Sequence, residues 1–126
     1  MKILDDRRYS RDHEWILFSG ATARVGITEY AQDALGDVVF VQLPNVGDKF
    51  TAGSACCEIE SSKSVSDVYI PLAGEIVMVN GTLSDVPGLV NSDPYGEGWI
   101  FELLLDSQSE NSDLLDAKSY RQLIEG

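Results

Sequence analysis

Glu58-Ile59-Glu60-Ser61-Ser62-Lys63-Ser64-Val65-Ser66-Asp67-Val68-Tyr69-Ile70-Pro71 is the stretch of this sequence that decides its fold. On each side of the serines, apolar and polar residues alternate with the period of two that a half-buried strand needs. A short polar link joins the two runs, and Pro71 ends the second by withholding an N–H from any further ladder. The reading is a tight β-hairpin with Lys63 at its tip. A hairpin tip is the most exposed position a scaffold offers, and the strands behind it fix where it points. Ser61, Ser62 and Ser64 are small enough to leave the lysine ammonium open to another protein. Taken alone, a lysine in a turn is a solvated charge.

Strand patterns continue outward from the hairpin through the first hundred residues. Residues 14–18, 23–27 and 38–43 are short, rich in β-branched and aromatic side chains, and bounded by turn formers. Residues 50–60 return as extended chain interrupted by Gly53. Residues 75–79 form a further strand closed by the turn dipeptide Asn80-Gly81, and after a loop over 91–98 a last strand is expected over 99–105. Thr28 can cap a short helix over 28–35 that stops at Gly36. After a polar stretch, Leu114, Ala117, Tyr120, Leu123 and Ile124 recur at helical spacing, which predicts an amphipathic helix over about 113–125. Ser112 or Asp113 is its expected cap, and sealing one end of the β core its expected role.

One internal echo bears on the architecture. Gly36-Asp37-Val38-Val39-Phe40-Val41 is similar to Gly74-Glu75-Ile76-Val77-Met78-Val79, and the two copies flank Lys63. A β-sandwich whose halves contribute equivalent strands produces such a pair, and so does chance similarity between two Val-rich strands. The expected fold is therefore mostly β, a sandwich or barrel-like hybrid in one domain spanning 1–126.

Composition narrows the function. A formal net charge of −12 on 126 residues repels phosphate backbones and anionic membrane surfaces, and its natural complement is a basic patch on another protein. No run approaches the apolar length that spans a bilayer. The opening Met1-to-Ser10 segment has neither an apolar core nor an Arg/Ser-rich character, so a cytosolic or already trimmed organellar protein is expected. Cys56 and Cys57 are neighbours expected to face opposite sides of a strand, Cys57 inward and Cys56 half exposed. With one histidine, His13, no metal-ligand spacing and no nucleophile or nucleotide motif, nothing resembles a self-sufficient active site, so no metal and no catalytic residue are expected.

A larger pattern gives the lysine its meaning. Strand, acid, small residue, any residue, Lys, small residue, strand, then Pro and a Gly-acid-apolar strand resembles the attachment hairpin of the biotinyl/lipoyl domain family. Biotin carriers flank their lysine with methionines, whereas Ser62 and Ser64 stand here, so the resemblance favours lipoate. Asp12-His13-Glu14-Trp15, Val25-Gly26-Ile27-Thr28, Leu35-Gly36-Asp37-Val38-Val39, Leu43-Pro44-Asn45-Val46-Gly47 and above all Asn91-Ser92-Asp93-Pro94-Tyr95-Gly96-Glu97-Gly98-Trp99 resemble the H protein family of the glycine cleavage system. The similarity runs through nearly the whole chain in the family's order. The family more often has Val and Ala beside its lysine, where Ser62 and Ser64 stand here.

The resemblance implies a monomeric, non-catalytic carrier with lipoate in amide linkage to Lys63 and with Glu60, Ser61, Ser62 and Ser64 as its hairpin setting. Implied partners are the pyridoxal-phosphate decarboxylase (P protein), the tetrahydrofolate-dependent aminomethyltransferase (T protein), the flavoprotein dihydrolipoamide dehydrogenase (L protein) and a lipoylating enzyme. It further implies a cleft into which the loaded arm folds. The His13-Glu14-Trp15 run is the expected wall, with Glu14 pairing with the aminomethyl cation; the alternative has Trp15 in the core and Glu14 as an exposed strand residue. Competing functions are an H-like adaptor or lipoyl donor, a lipoyl domain of a 2-oxoacid dehydrogenase complex, whose Ala/Pro-rich linkers are missing, and a small enzyme.

Overall fold

The computed structural model describes residues 2–106 and 114–125. In chain order its elements are β1 (Arg8–Tyr9), β2 (Glu14–Ser19), β3 (Thr22–Ile27), α1 (Glu29–Leu35), β4 (Val38–Gln42), β5 (Lys49–Phe50), β6 (Ala55–Ser61) and β7 (Val65–Tyr69). There follow β8 (Gly74–Val79), α2 (Thr82–Asp85), α3 (Leu89–Ser92), β9 (Phe101–Leu105) and α4 (Ala117–Glu125). The strands form a six-stranded sheet in the order β1-β2-β3-β9-β8-β5 and a three-stranded sheet in the order β4-β6-β7. This is the mostly β architecture expected from the sequence. The two echoed segments lie in opposite sheets, one as β4 and the other as β8.

Strand alternation explains where the core sits. Ile16, Val25, Ile76, Phe101 and Leu103 from the large sheet meet Val41, Ile59 and Val68 from the small one, all buried in one cluster. Each such side chain contributes about 1.5–3 kcal/mol on burial. The opposite alternation exposes the outer face of the small sheet. Phe40, Glu60 and Val65 lie in register across β4, β6 and β7, and the next row is Gln42, Glu58 and Asp67; all six are exposed.

Several boundaries differ from the sequence reading, each for a local reason. The extended chain expected over 50–60 is two strands in different sheets, turned at Gly53 (φ +87°). Asn80-Gly81 leads directly into α2, α3 runs into the expected 91–98 loop, and the last strand starts at Phe101 rather than Trp99. Cys56 and Cys57 do not diverge as an ideal strand requires. A register shift between Ala55 and Cys57 lets the two sulfurs approach to 3.9 Å, with Cys57 buried as expected and its thiol pushed up, first by the Cys56 hydrogen bond and then by burial.

The C-terminal helix begins at Ala117, because Asp116 accepts the Ser119 N–H at 2.8 Å and so takes the capping role. Ser112 and Asp113, the expected caps, lie outside the described residues. Leu115 precedes the helix and exchanges two backbone hydrogen bonds with Tyr9. Nor does α4 close the main core. Tyr120 stacks on Tyr9 with ring centroids 4.7 Å apart, in a second cluster with Ile3 and Trp15 on the other face of the large sheet.

Candidate functional site

The lysine hairpin is held by one hydroxyl. Ser61 Oγ accepts the N–H groups of Lys63 (3.1 Å) and Ser64 (3.0 Å) and donates to Ser64 O (3.2 Å). Ser61 N–H donates to the same Ser64 carbonyl at 2.8 Å, closing the turn. This is the side-chain-to-backbone bonding that serine offers in turns. Ser61 is buried, whereas Ser62, Lys63 and Ser64 are exposed. Ser62 N–H donates to Asp37 O at 3.0 Å, tying the tip to the start of β4. Glu60 lies on the outer face between Phe40 and Val65 and takes no part in the turn.

The Lys63 stem lies across Gly36. A Cβ built on that glycine would come within 2.6 Å of Lys63 Cε, and Gly36 has φ +85°. The residue that ends α1 thus also leaves room for the lysine. Asn91 fixes the same junction: its Oδ1 accepts the Val38 N–H at 2.8 Å and its Nδ2 donates to Gly36 O at 2.9 Å. This gives the first residue of the Asn91–Trp99 motif a structural reason.

Beside the tip opens a cleft of about 260 Å³ walled by residues 12–14, the end of β3, α1, the hairpin tip and the paired strands β6 and β7. Ser64, next to Lys63, stands at one side of it; Ile27, Ala31, Leu35, Ile59 and Val68 make an apolar lining. His13 and Glu14 line this cleft. Trp15 does not, because the next residue on a strand points to the other face: its indole N–H donates to Pro94 O at 2.9 Å in the second cluster. A larger cavity of about 390 Å³ along β5, β8 and β9 shares no residue with the hairpin or the cleft.

Glu14 is not the exposed strand residue of the alternative reading; only 2% of its surface is accessible. Its Oε1 accepts from Ser10 Oγ at 2.6 Å and its Oε2 accepts the Tyr69 N–H at 3.2 Å, so it links the two sheets at the cleft wall. Burial pushes its pKa up to about 7 against the pull of those two hydrogen bonds. Tyr30 and Asp67 also line the cleft, and the sequence named neither as a site residue. The usable signal was the α1 face on which Tyr30, Ala31, Ala34 and Leu35 share a side.

Two sheets, a lysine alone at a locked hairpin tip and an adjoining apolar cleft with a buried acid define a carrier domain of the biotinyl/lipoyl type. The chain belongs to the glycine cleavage H-protein family, whose role is lipoyl carriage in glycine cleavage: residues 7–126 match that family's model. It is 52% identical to the glycine cleavage system H protein of Beutenbergia cavernae over 126 residues, covering 100% of this chain and 99% of the relative. The Thermus thermophilus H protein is 54% identical over 125 residues, 99% of this chain and 98% of the relative. A crystal structure of the H protein from Mycobacterium marinum superposes with a TM-score of 0.89 at 45% identity, covering 98% of this chain and 100% of that one. No described helix is long and apolar enough to cross a membrane.

Proposed function

We propose that Lys63 bears lipoate through an amide to its Nζ, and that this single carrier domain moves the aminomethyl group of glycine from the P protein to the T protein and electrons to the L protein. A lipoylating enzyme closes around the exposed tip, and the partners supply pyridoxal phosphate, tetrahydrofolate and flavin. A bacterial cytoplasmic setting fits this reading. The observation that carries it is the conjunction of an exposed lysine with an apolar cleft starting at its neighbour Ser64. When bound, lipoate supplies a dithiolane that takes up the group and a dithiol that is reoxidised.

The rest is work for this chain's own residues. The Ser61 turn holds the point of attachment at a fixed place, so that tethering keeps the cargo at high local concentration near each enzyme. The apolar walls Ile27, Leu35, Ile59 and Val68 suit an aliphatic arm and exclude water. Glu14 offers the cargo's ammonium a carboxylate, and a cation there favours its ionised form.

Intact-mass measurement of the protein from cells with active lipoylation tests the assignment, with one lipoyl group expected on the parent and none on Lys63→Arg. An unmodified parent would overturn it. Glycine–bicarbonate exchange with P protein, supported by the modified parent and not by Lys63→Arg, separates this role from that of a 2-oxoacid dehydrogenase lipoyl domain.

A further inference from the structure

His13 has an unusual backbone. Among the described residues it is the one non-glycine with a positive φ, at +69°. Histidine is one of the few residue types that tolerate this region, and such conformations persist where the surroundings enforce them. Here the His13 N–H donates to Ser10 O at 3.2 Å and its carbonyl accepts the Thr28 N–H at 3.0 Å. The kink turns Asp12, His13 and Glu14 together toward the cleft.

The imidazole is gripped as firmly as the backbone. Its Nδ1 lies 2.9 Å from the Tyr120 hydroxyl, which is 2.7 Å from Thr28 Oγ1. Thr28 Oγ1 in turn accepts the Ala31 N–H as the cap of α1. Tyr30 packs against the ring with centroids 4.7 Å apart. No hydrogen bond engages Nε2 among the described residues, and no buried side-chain nitrogen or oxygen among them lacks a partner, so Nε2 is an accessible atom of a residue that lines the cleft. Two hydroxyls, Thr28 Oγ1 at the cap of α1 and Tyr120 on the C-terminal helix, therefore lead in series to Nδ1 of His13.

We propose that Tyr120 is a positioning residue for the arm cleft: through its hydroxyl it fixes the rotamer and tautomer of His13, so that Nε2 presents one defined hydrogen-bonding group to the arm folded into the cleft. This rests on the carrier reading above. It also gives α4 a part in the site, although the helix shares no residue with the cleft lining.

Tyr120→Phe tests it, since the phenyl ring keeps the stack on Tyr9 and only the hydroxyl is lost. Nitrogen-15 spectra of the unmodified protein read the ring directly: one dominant His13 tautomer is expected in the parent and a mixture in Tyr120→Phe. On lipoylated protein loaded with aminomethyl by P protein and glycine, the loaded form is expected to decay about fivefold faster in the variant, the effect of one neutral hydrogen bond. His13→Asn, which tolerates the same backbone, is expected to match that rate, and the double variant to decay no faster than either single one. An unchanged tautomer, an unchanged lifetime or additive effects would each overturn the proposal. A parent that cannot be lipoylated or loaded would instead overturn the carrier reading, leaving the tautomer result to decide the role of Tyr120.

Discussion

Replacing Glu14 by Gln should change how stability depends on pH. Burial raises Glu14 from its ordinary 4.5 to about 7, so between those values the folded protein holds a proton that the unfolded chain has released. The group's contribution is therefore fully present below pH 4.5 and is lost as pH rises through 7. At about 1.4 kcal/mol per pH unit, the gap amounts to on the order of 3 kcal/mol. Glutamine can keep both contacts, its amide oxygen accepting the Tyr69 N–H and its amide nitrogen donating to Ser10 Oγ, and it does not titrate. Urea unfolding of both proteins from pH 4 to pH 8.5 gives the comparison. Parent stability minus variant stability should fall by roughly 3 kcal/mol across that range and then level off. A difference that stays flat, or that rises with pH, would refute the burial argument. On the proposed function, the same variant loses its charge partner for the cargo, so its aminomethyl-loaded form should decay faster.

Three further substitutions probe the scaffold around the site. Ser61→Ala removes the acceptor of the Lys63 and Ser64 N–H groups; it should cost about 1–3 kcal/mol in urea unfolding and slow lipoylation in vitro, and an unaffected lipoylation rate would show that the tip needs no preset geometry. Gly36→Ala places a Cβ 2.6 Å from Lys63 Cε on a backbone at φ +85°, so a loss of about 1–3 kcal/mol is expected, with a shifted Lys63 side-chain resonance in NMR. Gly26→Ala puts a Cβ 2.7 Å from the Trp15 indole; a loss of about 1–3 kcal/mol and a changed tryptophan emission should follow, and a silent substitution would mean that Trp15 can leave its seat on Pro94.

The hairpin was legible because strand alternation and turn chemistry are local signals, and the same holds for α1, whose cap Thr28 and stop Gly36 stand where the residues indicated. The echo around Lys63 carried a longer-range message, since its copies lie in opposite sheets. Other features are made by contacts that no short window contains. One of the hydrogen bonds that holds buried Glu14 comes from the Tyr69 N–H, which β7 brings from 55 residues away. The paired sulfurs depend on a register shift in β6, and the C-terminal helix starts where the Tyr9–Leu115 pairing lets go of the chain. The cleft was the least legible of all. The Glu14 wall came from family resemblance, and the α1 wall needed packing to show which helix face looks at β6 and β7.

The outer face of the small sheet has a consequence for how this protein behaves among copies of itself. Glu58 and Asp67 stand directly opposite each other across β6 and β7, with Glu60 in the adjacent row, and none of the three is in an ion pair among the described residues. Like charges facing each other across a ladder weaken it slightly, so folding is not what this arrangement favours. It acts between molecules: two chains meeting through this face would press carboxylate against carboxylate. The exposed apolar side chains of Phe40 and Val65 are thereby guarded against self-stacking at low salt, while a surface lined with lysine or arginine can still reach them. The face beside the lysine thus discriminates by sign of charge, turning away its own kind and admitting a basic visitor.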